Sequence, residues 1–199
     1  MDRAHEPYRP LLRTKVGDRE LEAGARAHYE DAAYYASNYA YRTEDIAYYR
    51  SIAQRHGEVV EHGIGSGRIA IPIARDGGRV SGIDHSRPMI ADLRSRLRAE
   101  PAEVRARVTA RVGDIRRAKF SKRVPLVICP FNTLLHLYTR RDVERWLANV
   151  RAQLAPRGEL VFDVTLPVPE DLARSPDKRY RIPAFLHPTV GRVRYSEIF

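Results

Sequence analysis

The sequence holds a single cysteine, Cys129, in 199 residues. One thiol closes no intramolecular bridge and builds no cysteine metal cage, so a disulfide framework is excluded. Lysine is scarce too, with only Lys15, Lys119, Lys122 and Lys178 among 35 lysines and arginines. No apolar run approaches the roughly 20 residues of a membrane span, and residues 1–20 lack the apolar core of a signal peptide. These absences make the cytoplasm the expected compartment. There is also no internal repeat and no low-complexity tract. A composition of 43% hydrophobic and 30% charged residues is that of a globular protein, and the length suits one large domain.

What is abundant is arginine, which carries the net charge of +10. Clustered cations would suit a polyanion, because binding releases phosphate counterions. No arginine run exceeds two residues, however, and acidic residues are interleaved throughout. That pattern is arginine-biased composition rather than a nucleic-acid footprint, and nucleic acid is disfavoured as the partner.

Residues 1–25 are polar, with Pro7, Pro10 and Gly17, and read as a loose arm. Seven of the 11 tyrosines lie between Tyr29 and Tyr49. Thr43 before Glu44 and Asp45 is a helix start, Ile46, Tyr49 and Ile52 recur at helical spacing, and Gly57 suits a C-cap. From there, short apolar runs alternate with helical stretches. The runs are Val59-Val60, 79–83, 108–112, 126–129 and 159–164, and the helices are 68–75, 88–99 and 142–154. Such alternation calls for a parallel sheet with helices on both faces. The basic connection from Asp114 to Val124 carries no helical pattern.

Four motifs follow in chain order. Glu61-His62-Gly63-Ile64-Gly65-Ser66-Gly67 lies between a strand and a helix. Glycine there lets the backbone turn tightly and approach a ligand, and the helix beyond offers unpaired amides. A dinucleotide fingerprint would need its third glycine at Arg68, and a P-loop would need a Gly-Lys pair, so both are excluded. Asp84 ends the second strand, where a carboxylate can accept two hydrogen bonds from a ribose diol. Ser86 caps the next helix, with Pro88 in its first turn. The third motif is the strand end Gly113-Asp114-Ile115, and the fourth is the stretch from Pro125 through Cys129, Pro130, Phe131 and Asn132 to His136 and Leu137.

Together these motifs over residues 58–165 resemble a class I S-adenosylmethionine-dependent methyltransferase of the small-molecule branch, near the glycine and sugar N-methyltransferases. The resemblance implies an α/β, Rossmann-like, doubly wound parallel sheet comprising strands 1–5 of the seven-strand fold. An N-terminal helical lid and a small antiparallel addition at the C-terminus go with it. It divides the chain into an arm and tyrosine-rich lid at 1–56, a cofactor-binding core at 57–166 and a proline-rich extension at 167–199. For S-adenosyl-L-methionine it implies Glu61 near the amino end of the methionine moiety and Gly63, Gly65 and Gly67 beneath the cofactor. Asp84 would take the ribose hydroxyls, Asp114 the adenine amino group, and the Ile115 backbone the ring edge. Tyr34 and Tyr35 of the lid, with Phe131 and Asn132, would meet the substrate. No metal is implied.

The expected reaction is in-line methyl transfer to a nitrogen or oxygen of a small-molecule acceptor, with His136 as candidate base because imidazole titrates near neutrality. A packing role for His136 stands beside that reading. Two positions depart from the family pattern. His62 replaces an apolar residue and so needs a hydrogen-bond partner or an exposed face, and Ile64 replaces a small one. Cys129-Pro130 reverses the Pro-Cys order of cytosine methyltransferases, and Cys129 reads as a packing residue.

Prolines 167, 169, 176, 183 and 188 break up the remainder, and only 191–199 reads as a strand. Against the family order 3-2-1-4-5-7-6, the chain is expected to end inside the fold, leaving strand five as an edge for pairing with a second copy. Three alternatives stay open: a complete enzyme in which residues 192–199 cover that edge, a non-catalytic cofactor-binding protein, and a nucleic-acid methyltransferase, which net charge alone supports.

Overall fold

The computed structural model describes residues 29–197 apart from positions 40, 167, 176–177, 182, 188 and 195. The arm expected at 1–25 lies outside the described residues. The described residues begin with two helices, α1 (Ala32–Asn38) and α2 (Glu44–His56). Asp31 caps α1 by accepting the Tyr34 amide at 2.8 Å, and α2 ends at Gly57 with φ of +72°. That left-handed ending is the one the sequence predicts at this glycine.

Five strands follow: β1 (Glu58–His62), β2 (Arg79–Asp84), β3 (Val108–Val112), β4 (Val124–Cys129) and β5 (Leu154–Phe162). Between them lie α3 (Ala70–Arg75), α4 (Arg87–Arg98), α5 (Ala102–Arg105) and α6 (Arg140–Gln153). The strands form one parallel sheet in the order β3-β2-β1-β4-β5. A strand's alternation sends successive side chains to opposite faces. Val59, Leu126 and Ile128 join Tyr49, Ile90 and Leu93 on one face, while Val60, Val127 and Cys129 meet Trp146 and Val150 on the other. Both faces are thus covered, which a parallel sheet requires. The expected Rossmann-like class is the observed one.

Strand five differs from expectation. It begins at Leu154, five residues before the expected start, through a bulge opposite Val124 and Leu126. Beyond it come a short helix α7 (Pro169–Leu172) and four short strands, β6 (Tyr180–Arg181), β7 (Phe185–His187), β8 (Gly191–Val193) and β9 (Ser196–Glu197). The expected single strand over 191–199 is two in the described residues. Each pairs antiparallel with an earlier piece, β9 with β6 and β8 with β7. Among the described residues β5 pairs with β4 alone, so this segment does not cover the sheet edge. No described helix is long and apolar enough to cross a membrane.

The departure at His62 is explained by its partners. The ring is fully buried, Trp146 Nε1 donates to its Nδ1 at 2.8 Å, and its Nε2 lies 3.0 Å from Gln153 Oε1. Gln153 Nε2 in turn donates to the Ala118 carbonyl, which fixes Oε1 as the acceptor for an Nε2 proton. Burial lowers the imidazole pKa to about 4, against a weaker upward pull from Gln153. The unfolded chain therefore takes up this proton first as pH falls, and stability is lost between about pH 6.5 and about pH 4. Urea denaturation should show His62 contributing about 2–3 kcal/mol of lost stability between about pH 7.5 and pH 4.5. The His62→Phe variant, less stable at neutral pH, should lack that component. Parallel pH profiles for the two proteins would contradict the assignment.

Candidate functional site

A cleft of about 320 Å³ opens at the carboxyl ends of the strands, where the sheet order reverses between β1 and β4. Loops leave in opposite directions at such a point and create a crevice between them. The glycine loop forms its floor. Gly63, Gly65 and Gly67 all have positive φ, at 76°, 52° and 82°. At Gly63 a Cβ would collide with the Thr133 side chain from the segment after β4, so glycine is required where the two loops cross.

Asp84 ties β2 to this loop. Its Oδ2 accepts the Gly65 amide at 2.9 Å and its Oδ1 the Ser86 amide at 2.8 Å. Two backbone donors orient the carboxylate and leave each oxygen a further lone pair. Glu61, 1% exposed, lies deeper, and its Oε2 has no hydrogen-bond partner. Burial pushes this carboxyl well above the usual range, with the positive Arg68 opposing and the negative Asp84 adding to the effect. A buried, unpartnered carboxyl oxygen is costly unless a ligand completes it.

At the other end, Asp114 accepts from the Arg116 amide at 2.8 Å and from its Nε, and Arg116 Nη1 reaches Asp142 at 2.8 Å. Burial would raise the Asp114 carboxyl, but the Arg116 bonds outweigh it and hold the group below the usual carboxylate range. The Ile115 carbonyl is taken by Asn149 Nδ2, which fixes this turn against α6.

The roof combines Tyr29 and Tyr35 of the N-terminal segment with the 3₁₀ turn Thr133–His136. His136 Nε2 lies 2.7 Å from the Tyr29 hydroxyl, and its Nδ1 lies 3.5 Å from that of Tyr138. Burial, reinforced by Asp84, raises the Tyr29 hydroxyl above its ordinary range, so it keeps its proton. Tyr35 and Phe131 also line the cleft, with ring centroids 6.3 Å apart and nearly perpendicular.

Nine of the residues singled out in the sequence line this cleft: Glu61, Gly63, Gly65, Asp84, Asp114, Ile115, Tyr35, Phe131 and His136. Three do not. Gly67 lies under the loop, where a Cβ would strike Leu93, so it is a packing glycine. Tyr34 is one residue from Tyr35 but turned away, its ring 5.3 Å from Phe185 of β7. Asn132 points out of the cleft, its amide bonded to the Thr165 amide and hydroxyl. Sequence reasoning passed over Tyr29, Arg68, Arg116 and Asp142, all lining residues. A charged residue directly after the third glycine, and the Thr139-x-x-Asp142 cap, were the available signals.

It also passed over Asp163, which shapes the roof from outside the cleft. Phe131 and Asn132 are consecutive non-glycine residues at φ of 57° and 61°. Asp163 accepts both their amides, at 2.8 and 3.3 Å, and the Tyr49 hydroxyl at 2.6 Å. This carboxylate offsets the strain of the kink that swings Thr133 and His136 over the cleft.

Comparison with known proteins gives a consistent picture. A family model described as a methyltransferase domain matches residues 59–158. The chain is similar to the CcbJ methyltransferase from Streptomyces caelestis, at 29% identity over 60% of this chain and 47% of that one, with a TM-score of 0.54. It is similar to the glycopeptide N-methyltransferase MtfA in complex with S-adenosyl-L-methionine, at 27% identity over 75% and 58% of the two chains, with a TM-score of 0.57. Streptomyces venezuelae DesVI, at 16% identity over 95% and 84% with a TM-score of 0.55, shares the fold. The chain thus spans about half the length of the first two solved structures, 47% and 58%. No curated protein matches it.

The Asp163 clamp gives a direct test of how the roof is held. Asp163→Ala should cost about 3 kcal/mol in urea denaturation, and Tyr49→Phe about 1 kcal/mol, because the first strands three donors and the second removes one. Equal, small losses for both variants would contradict the clamp.

Proposed function

Because the chain belongs to the methyltransferase-domain family, we propose that its cleft binds S-adenosyl-L-methionine and that the protein methylates a nitrogen or oxygen of a small-molecule acceptor. The observation that carries this reading is the donor and acceptor set along the cleft. A buried carboxyl oxygen of Glu61 without a partner suits an ammonium group. The backbone-held Asp84 suits a diol, and Asp114 with the Ile115 backbone suits the edge of a purine. Gly63 and Gly65 keep the floor free of side chains. The residues present therefore fit the cofactor.

When bound, the cofactor supplies an electrophilic methyl group on a sulfonium. The protein's own contribution is proximity and a dry, oriented site. Tyr35 and Phe131 exclude water from the roof. His136, held by Tyr29, takes the proton from an acceptor that arrives as an ammonium ion or a hydroxyl, which frees the lone pair for attack. With the Tyr29 oxygen accepting the Nε2 proton, the basic lone pair of His136 is that of Nδ1, 3.5 Å from the Tyr138 hydroxyl. The likeness to MtfA, a glycopeptide N-methyltransferase, supports a small-molecule acceptor, and the interleaving of arginines with acidic residues in the sequence agrees.

Isothermal titration calorimetry with S-adenosylhomocysteine tests the cofactor assignment. The wild type should bind, and Asp84→Ala should weaken binding about 10–100-fold, the equivalent of losing hydrogen bonds to a charged group. Unchanged affinity would refute the ribose role. Glu61 gives a second readout. An ammonium brought against its raised carboxyl favours the ionised form, so binding should release a proton wherever the free protein holds Glu61 protonated. The apparent enthalpy should then differ between phosphate and Tris buffers, and the difference should vanish in Glu61→Gln. A buffer dependence that persists in that variant would place the proton elsewhere.

A further inference from the structure

Arg68 is a charged residue of the cleft that the proposed function leaves without a role. Its side chain is 21% exposed and follows directly on the glycine loop. A guanidinium has five N–H donors in a fixed plane. Three are used: Nη1 donates to Asp45 Oδ1 at 2.8 Å and to the Arg42 carbonyl at 3.2 Å, and Nη2 donates to Asp45 Oδ2. Asp45 therefore takes the end of the guanidinium, the edge formed by the two terminal nitrogens. The two donors left are the Nε proton and the second Nη2 proton. They lie side by side on one edge, and among the described residues neither has a partner.

Two parallel donors on one edge are the geometry that binds a carboxylate through both its oxygens. The plane is held in place, since the guanidinium carbon lies 4.5 Å from the centroid of the Phe131 ring. The other half of the pattern is Glu61. Arg68 and Glu61 both line the cleft and each acts electrostatically on the other, yet they form no ion pair. An acid lacking a donor and a base lacking an acceptor thus stand in one cleft without satisfying each other. A ligand end carrying both an ammonium and a carboxylate completes both.

We propose that Arg68 binds the carboxylate of the cofactor's amino-acid end through its Nε–Nη2 edge, so that Glu61 and Arg68 together recognise the α-amino-acid zwitterion. This assignment rests on the functional reading above. It gives the bridge to Asp45 a purpose as well. That bridge fastens the guanidinium to the start of α2, so the lid and the cofactor share one side chain.

The test compares two ligands by calorimetry. S-adenosylhomocysteine carries the amino-acid end, and 5′-methylthioadenosine has the nucleoside and sulfur without it. Arg68→Ala should weaken S-adenosylhomocysteine about 10–100-fold and change 5′-methylthioadenosine by less than about threefold. Arg68→Lys keeps the charge but offers no fork, so it should lose S-adenosylhomocysteine affinity in the same selective way, to a smaller extent. It also covers the case in which the alanine variant fails to fold. Asp45→Asn weakens the lid bridge while leaving the free edge intact, and should preserve the ratio of the two affinities. Equal weakening of both ligands would show a structural role and overturn the proposal. So would unchanged affinity for both, which would place Arg68 outside the contacts of the amino-acid end. A wild type that binds neither ligand would overturn the functional reading itself, and this assignment with it.

Discussion

The site is organised by one carboxylate, that of Asp84. By accepting the amides of Gly65 and Ser86 it joins the glycine loop after β1 to the helix start after β2. Both loops leave neighbouring parallel strands, and in register Glu61 pairs with Gly82 and His62 with Ile83. The Gly63 amide then donates to the Ile83 carbonyl at 2.8 Å, which carries the pairing one residue past the strand. The floor of the cleft is thereby fixed through its backbone amides, which one short carboxylate and a carbonyl of the neighbouring strand accept. Everything above it, from the Glu61 carboxyl to the Asp114 turn, is placed relative to that floor.

The roof is held by a different device. Its elements are remote in sequence: Asp163 at the end of β5, Tyr49 in α2 and the kink after β4. A single acceptor gathers three donors from these segments. The arrangement lets a strand end, Cys129-Pro130, turn sharply without glycine and bring Thr133 and His136 over the loop. Cys129 is fully buried and burial pushes its thiol up, so it packs and does not act as a nucleophile.

Much of the floor was legible in the sequence, because it depends on local rules. Glycines with positive φ, an acid at a strand end and a serine cap are each specified within a few residues. The order of the alternating elements gave the sheet. What escaped was set by distant contacts. Tyr29 matters through His136, 107 residues away, and Asp163 through Tyr49, 114 residues away. Spacing along the chain carries no trace of either. Tyr34 and Tyr35 show the limit of a pattern within one helix: a step of one residue turns the side chain by about 100° and moves it from the cleft to β7. Gly67 was misplaced for a related reason, since its neighbour Leu93 comes from α4 and only packing shows that the glycine faces down.

The central claim is that one cleft holds a nucleoside and an amino-acid zwitterion along a line from Asp114 to Glu61. A crystal structure of the protein grown with S-adenosylhomocysteine tests it most directly. The account predicts ligand density with the purine beside Asp114, the ribose on Asp84 and the amino-acid end between Glu61 and Arg68. Ligand density placed elsewhere, as in a second depression lined by Arg50, Asp76 and Gly78, or with the molecule reversed in the cleft, would contradict it.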